Sequence, residues 1–225
     1  NYGIDGAGSF VWLFFLENEL KKSKKTDIII NFDLTGFSYS IGDIGNYIPN
    51  YPHTKSLMRH QSKLYYNFPG IKYFGHYEYY YKTYLNERIN LTKVTQKGGS
   101  FEKNVLLQKK FDELVLKREN SKDEFILNEN LSKRFEHLIK STDRRIFIVI
   151  APYHHAYLDN FENIELANSY LNKVSVNENL FVVDFKNAIL DEKFFFNTTH
   201  LNYNGAKVFS KMLKNRISFY SKKKL

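Results

Sequence analysis

Ile146-Phe147-Ile148-Val149-Ile150-Ala151, followed at once by Pro152-Tyr153-His154-His155, is the stretch that decides the fold. Six apolar residues run without a polar break, rich in β-branched types, between Asp143-Arg144-Arg145 and a proline. The run is short for a helix and does not alternate, so it reads as a strand covered on both faces, the signature of a parallel sheet. Two more segments share this character, 28–32 (IIINF) and 180–185 (LFVVDF), and each gives way to polar or turn residues. Between them the apolar period changes. Leu131, Phe135, Leu138 and Ile139 recur at helical spacing before the second strand, as do Val208, Met212, Leu213 and Ile217 in the last segment. Ser9 suits the N-cap of a helix over residues 10–22, whose Lys21 and Lys22 suit its C-terminus.

Strand and helix in alternation predict an α/β fold, a three-layer doubly wound parallel sheet whose site forms outside the carboxyl ends of the strands. The expected organisation is one domain over 1–225. Residues 42–121 interrupt the rhythm with aromatic runs such as Tyr65-Tyr66-Asn67-Phe68 and read as a mainly helical insertion that caps the site.

With 225 residues, 43% of them hydrophobic, the chain can bury one sizeable core. No stretch reaches the roughly 18 apolar residues of a membrane span. The absence of cysteine excludes disulfides, thiol nucleophiles and thiolate metal sites. A net charge of +9 raises the question of nucleic acid. The lysines are dispersed along helices, apart from Lys222-Lys223-Lys224, and are not interleaved with glycine and aromatics. They read as a solvated basic surface, and no specific nucleic-acid partner is expected.

The densest chemical signal is Asn197-Thr198-Thr199-His200-Leu201-Asn202-Tyr203-Asn204-Gly205-Ala206, which leads into the final helix. A histidine in a polar loop just ahead of a helix can present its ring at the sheet edge, and its titration range suits general-base work. The string resembles the last block of the SGNH (GDSL-like) hydrolase superfamily, Asp-x-x-His before the final helix, through His200, Leu201, Asn202, Gly205 and Ala206. The aspartate position falls on Asn197. An amide can orient the imidazole but cannot stabilise an imidazolium by charge, which in a Ser-His-Asp triad costs about four orders of magnitude in rate. Asn197 therefore implies a weakened triad, a Ser–His dyad or an inactive relative.

The opening Asn1-Tyr2-Gly3-Ile4-Asp5-Gly6 is similar to the family's second block, whose last glycine donates its N–H to an oxyanion, here Gly6. After the first strand, Asn31-Phe32-Asp33-Leu34-Thr35-Gly36 stands where the family places an oxyanion asparagine. Thr35 lies near that position, and Asp33 resembles polysaccharide-modifying and D-alanyl-transfer relatives. The family's first block, with the nucleophilic serine, is not in the sequence and is expected ahead of Asn1. Ser9 lacks the buried strand that a nucleophile elbow needs. Pro152-Tyr153-His154 resembles Pro-x-His strings after the corresponding strand of such relatives, which makes His154 a candidate substrate ligand and leaves His155 at the surface. No metal is expected at this pair, since adjacent histidines point apart on an extended chain and no carboxylate is suitably close. For Asp184, at the end of the third strand, bonding to nearby backbone is the expected role.

The resemblance implies a flavodoxin-like SGNH fold and serine-ester chemistry: His200 as base, Asn197 holding its ring, Gly6 at the oxyanion, and no cofactor. It implies an O-acyl group on a glycan or envelope polymer as substrate, with hydrolysis and transfer both open. It further implies a site outside the bacterial cytoplasmic membrane, behind an anchor upstream. A non-catalytic glycan-binding relative is the alternative, and a basic nucleic-acid-binding protein the more distant one.

Overall fold

The computed structural model describes residues 8–23, 26–37, 108–119 and 122–222. The chain divides into two compact units, Asn1–Phe15 with Tyr39–Gly99, and Leu16–Ser38 with Ser100–Leu225. The described part of the first unit is residues 8–15, the opening turns of helix α1 (Ser9–Leu20), where Val11, Leu13 and Phe15 are buried. Ser9 is itself the first helical residue and is buried.

The second unit is α/β. Strands β1 (Ile28–Asn31), β3 (Ile146–Ile150) and β5 (Leu180–Asp184) form a parallel sheet in the order β1-β3-β5, with Ile28 and Leu180 both in register with Ile146. Each strand stops one residue short of its apolar run. All five residues of β3 are buried, which is what an unbroken apolar run in the central strand requires. Its Phe147 and Val149 join Val183 and Phe185 against Phe209, Met212, Leu213 and Ile217 of helix α6 (Tyr203–Lys222). Ile146, Ile148 and Ile150 necessarily face the other side.

Helix α2 (Gln108–Glu119) is the described part of the expected insertion at 42–121; the rest of that segment lies outside the described residues, as does Gly6. A strand β2 (Asp123–Glu124) pairs in parallel with β4 (Phe161–Glu162), a two-stranded sheet the sequence did not announce. Helix α3 (Glu129–Lys140) begins where Asn128 Oδ1 accepts the Leu131 N–H at 3.1 Å, and it buries Leu131, Phe135, Leu138 and Ile139. A short helix α4 (His155–Leu158) follows β3, and α5 (Ile164–Ser175) leads to β5. The aromatic core over the sheet joins Phe37 to Phe135 and Tyr170, with ring centroids 6.1 and 5.2 Å apart.

Buried Arg144 locks the base of the sheet. It donates to the carbonyls of Thr26 at 3.0 Å and Glu19 at 2.6 Å, joining the end of α1 to the start of β1 and β3. Among the described residues no helix is long and apolar enough to cross a membrane.

Candidate active site

Beyond β1 the chain turns through Asp33-Leu34-Thr35-Gly36. Asp33 Oδ1 accepts the Thr35 N–H at 2.8 Å and the Thr35 hydroxyl at 2.7 Å, and the Gly36 N–H returns to the Asp33 carbonyl at 3.0 Å. Gly36 adopts φ 79°, and a Cβ there would lie 2.6 Å from the Phe125 ring, so the turn needs glycine. The Leu34 N–H reaches the Tyr153 hydroxyl oxygen at 3.4 Å. The amides of Leu34, Thr35 and Gly36 are thus all engaged, and the Thr35 hydroxyl already gives its hydrogen to Asp33.

Tyr153 comes from the exit of β3. Burial, reinforced by the nearby Asp33 carboxylate, pushes its phenol far above the ordinary value, so it stays protonated. Because its oxygen accepts from Leu34, its own O–H remains a donor. The Tyr153 ring stacks on Tyr157, with centroids 4.8 Å apart, and the Arg118 guanidinium lies 4.3 Å over the Tyr157 ring. Arg118 is also ion-paired with Asp123.

The third contribution is the loop before α6. Asn197 Oδ1 accepts the backbone N–H of Thr199 at 2.9 Å and of His200 at 2.8 Å, and lies 3.0 Å from His200 Nδ1. Two backbone donors fix which end of the amide faces inward. The contacts admit two tautomers: a protonated Nδ1 donates to this oxygen, and a bare Nδ1 accepts from the Thr199 hydroxyl at 3.0 Å. In the first, Nε2 is the basic nitrogen, the form a general base needs. Thr199 Oγ1, 3.2 Å from the same oxygen and 3.0 Å from Nδ1, adds a second polar neighbour to the ring.

Asn202 anchors this loop. Its buried amide donates to the carbonyls of Lys193 at 2.6 Å and Phe195 at 3.2 Å, while its Oδ1 accepts the Gly205 N–H at 3.0 Å and caps α6. A Cβ on Gly205 would fall 2.1 Å from the Phe194 carbonyl oxygen, so no larger residue fits. Phe195 and Leu201 bridge as antiparallel neighbours and close the loop at its neck.

These pieces meet around one cavity of about 420 Å³ at the carboxyl ends of β1 and β3. Asn31, Asp33 and Thr35 line one part, Ala151–Tyr153 and Tyr157 another, Thr199–Leu201 a third, with Arg118 and Asp123 completing the wall. The structure thus brings His200, Asp33 and Thr35 together, with Asn197 behind the ring. Sequence reasoning missed Tyr153, Tyr157, Arg118 and Asp123. The only local signal was the position of Tyr153 immediately after a buried strand.

His154 does not line this cavity. It is 1% exposed, its ring set edge-on between Phe111 and Phe195 at 5.3 and 5.4 Å, and its Nδ1 accepts the Ala156 N–H at 3.2 Å to cap α4. Burial, then the neighbouring His155, lowers its pKa below the usual value, against the opposing pull of Glu192. The expectation that the paired histidines diverge, with no carboxylate near, does not hold. At the start of α4 the backbone is not extended through both residues, the ring centroids lie 4.0 Å apart, and Glu192 Oε1 stands 3.5 Å from His154 Nε2. Asp184 Oδ1 accepts the Lys186 N–H at 2.9 Å, a backbone-bonding role.

Comparison with family models, with curated proteins and with solved structures finds no match to the chain in any of the three.

Proposed function

We propose that this chain carries the base-bearing side of an SGNH-type serine esterase or O-acyltransferase, built on a three-layer, flavodoxin-like doubly wound sheet. The observation that carries the reading is the His200 ring, its Nδ1 3.0 Å from Asn197 Oδ1, on the wall of a cavity at the carboxyl edge of the sheet. In the reaction, Nε2 takes the proton of a serine alcohol as its oxygen attacks the acyl carbonyl. The tetrahedral oxyanion collapses, the glycan oxygen leaves and recovers that proton, and the acyl group stays on serine. Water or a second hydroxyl then attacks, with Nε2 again taking and returning a proton. The serine is not among the described residues lining the cavity. We assign the Tyr153 O–H, on the wall of the same cavity, as a donor to the oxyanion, and Asp33 holds the Thr35 turn beside it.

An O-acylated sugar of an envelope polymer fits this cavity better than a long acyl chain does. Carboxylate, amide and hydroxyl groups dominate its lining, beside the stacked pair Tyr153 and Tyr157. Two carboxylates against one guanidinium disfavour a nucleic-acid phosphate. A second reading, a glycan-binding relative without turnover, is favoured by Asn197 being an amide. The test is to treat the whole protein with p-nitrophenyl acetate and a serine-reactive fluorophosphonate. Acetate release and labelling that vanish in His200→Ala support the esterase, whereas an unlabelled wild type that binds glycan supports the alternative.

A further inference from the structure

We infer that His154, His155 and Glu192 form a binding site for a zinc-type divalent transition metal, apart from the His200 cavity. One ligand atom from each lies within 4.8 Å of the others. His154 Nε2 is buried and has no hydrogen-bond partner among the described residues, an uncommon state for a buried polar atom. Its nearest acceptor, Glu192 Oε1 at 3.5 Å, is too far for a well-formed hydrogen bond. That spacing instead matches two ligands on one ion: with zinc–ligand bonds of about 2.0–2.1 Å, tetrahedral neighbours stand about 3.4 Å apart. The exposed His155, its ring centroid 4.0 Å from that of His154, supplies the third ligand.

Two imidazoles and a carboxylate suit zinc, cobalt or nickel and not magnesium or calcium, which take all-oxygen shells. Three protein ligands leave a fourth position for water. Coordination through Nε2 moves the remaining ring proton to Nδ1 and displaces the 3.2 Å contact from the Ala156 N–H. The ion therefore competes with a helix cap, and its affinity falls below that of closed structural zinc sites. What it gains is a crosslink. His154 and His155 belong to the exit of β3, Glu192 to the 3-10 turn Glu192–Phe194 that leads to the His200 loop, and the His154 N–H already donates to Thr198 O at 3.0 Å.

The test is calorimetric titration of the whole chain, stripped with EDTA, with zinc chloride and separately with magnesium chloride. It is repeated on His155→Ala and Glu192→Gln, both exposed positions whose change leaves the core intact, and on His200→Ala as a control. The expected result is one zinc per chain with a dissociation constant in the micromolar range, weakened about tenfold or more in each of the first two variants. His200→Ala should bind as the wild type does, magnesium should not bind, and the cobalt-loaded protein should show the visible absorption of a tetrahedral centre. Zinc uptake unchanged in both His155→Ala and Glu192→Gln would mean an adventitious ion on other histidines and would overturn the site, as would no heat of binding at about 100 µM zinc.

Discussion

His200 Nδ1 and Asn197 Oδ1 stand 3.0 Å apart, and the same amide oxygen also receives the N–H groups of Thr199 and His200. One neutral side chain therefore fixes the loop and braces the ring, and the arrangement has the geometry of a charged partner without the charge.

Replacing Asn197 by aspartate keeps all of these acceptor contacts and adds a negative charge beside Nδ1. Esterase turnover of Asn197→Asp should rise by about tenfold or more, bounded above by the roughly 10⁴ that separates the two residues in a full triad. Equal turnover of wild type and variant, measured with p-nitrophenyl acetate, would show that another group governs the imidazole.

Tyr153→Phe removes a buried phenol O–H beside the Asp33 turn. Loss of one oxyanion donor lowers kcat by about 10²–10³ with little change in KM. The freed Leu34 N–H costs about 1 kcal/mol of stability at most, since its 3.4 Å contact is long. A variant with lower Tm but unchanged kcat would leave Tyr153 a purely structural role.

Gly205→Ala should be among the most damaging single-methyl changes in this unit. The added carbon would overlap the Phe194 carbonyl oxygen, so either α6 or the 3-10 turn must move. We expect a loss of about 1–3 kcal/mol in urea unfolding, with activity falling further than stability because the His200 loop shares that contact.

Glu17 receives two 2.6 Å hydrogen bonds from Arg134, which hold its carboxyl below the ordinary value despite an opposing contribution from burial. A lowered folded-state pKa stabilises the protein above the unfolded value, about 4.5, and that stability is lost as pH falls through the folded value. The pair is half-buried, with 30% of the Arg134 side chain and 27% of the Glu17 side chain exposed, so Glu17→Gln should cost about 1 kcal/mol at pH 7. Its melting temperature should also fall less steeply than that of wild type below pH 4.5. Parallel curves for the two proteins would count against the pair.

The parallel strands were legible because each is an unbroken apolar run, but only β3 is covered on both faces as expected; in β1 Ile29 is 53% exposed. The helix with Leu131, Phe135, Leu138 and Ile139 was legible through its period. The pairing of Asp123-Glu124 with Phe161-Glu162 was not, because two residues carry no period and are placed by the turns around them. Asn197 and His200 could be read as partners because only two residues, Thr198 and Thr199, lie between them. Arg118, Asp123 and Tyr157 reach the same cavity from separate elements, which only folding brings together. His154 shows how a local pattern misleads: the chain leaves β3 directly into a four-residue helix, and the start of that helix, invisible in the sequence, turns the ring inward.

Asn202 joins three pieces of backbone through a single buried amide, two ahead of His200 and one inside the last helix. The segment that presents the imidazole consequently has no melting point of its own. Heat that frees the first turn of α6 releases the ring in the same step, so the protein would lose its base and its closing helix as one cooperative event and not by gradual softening.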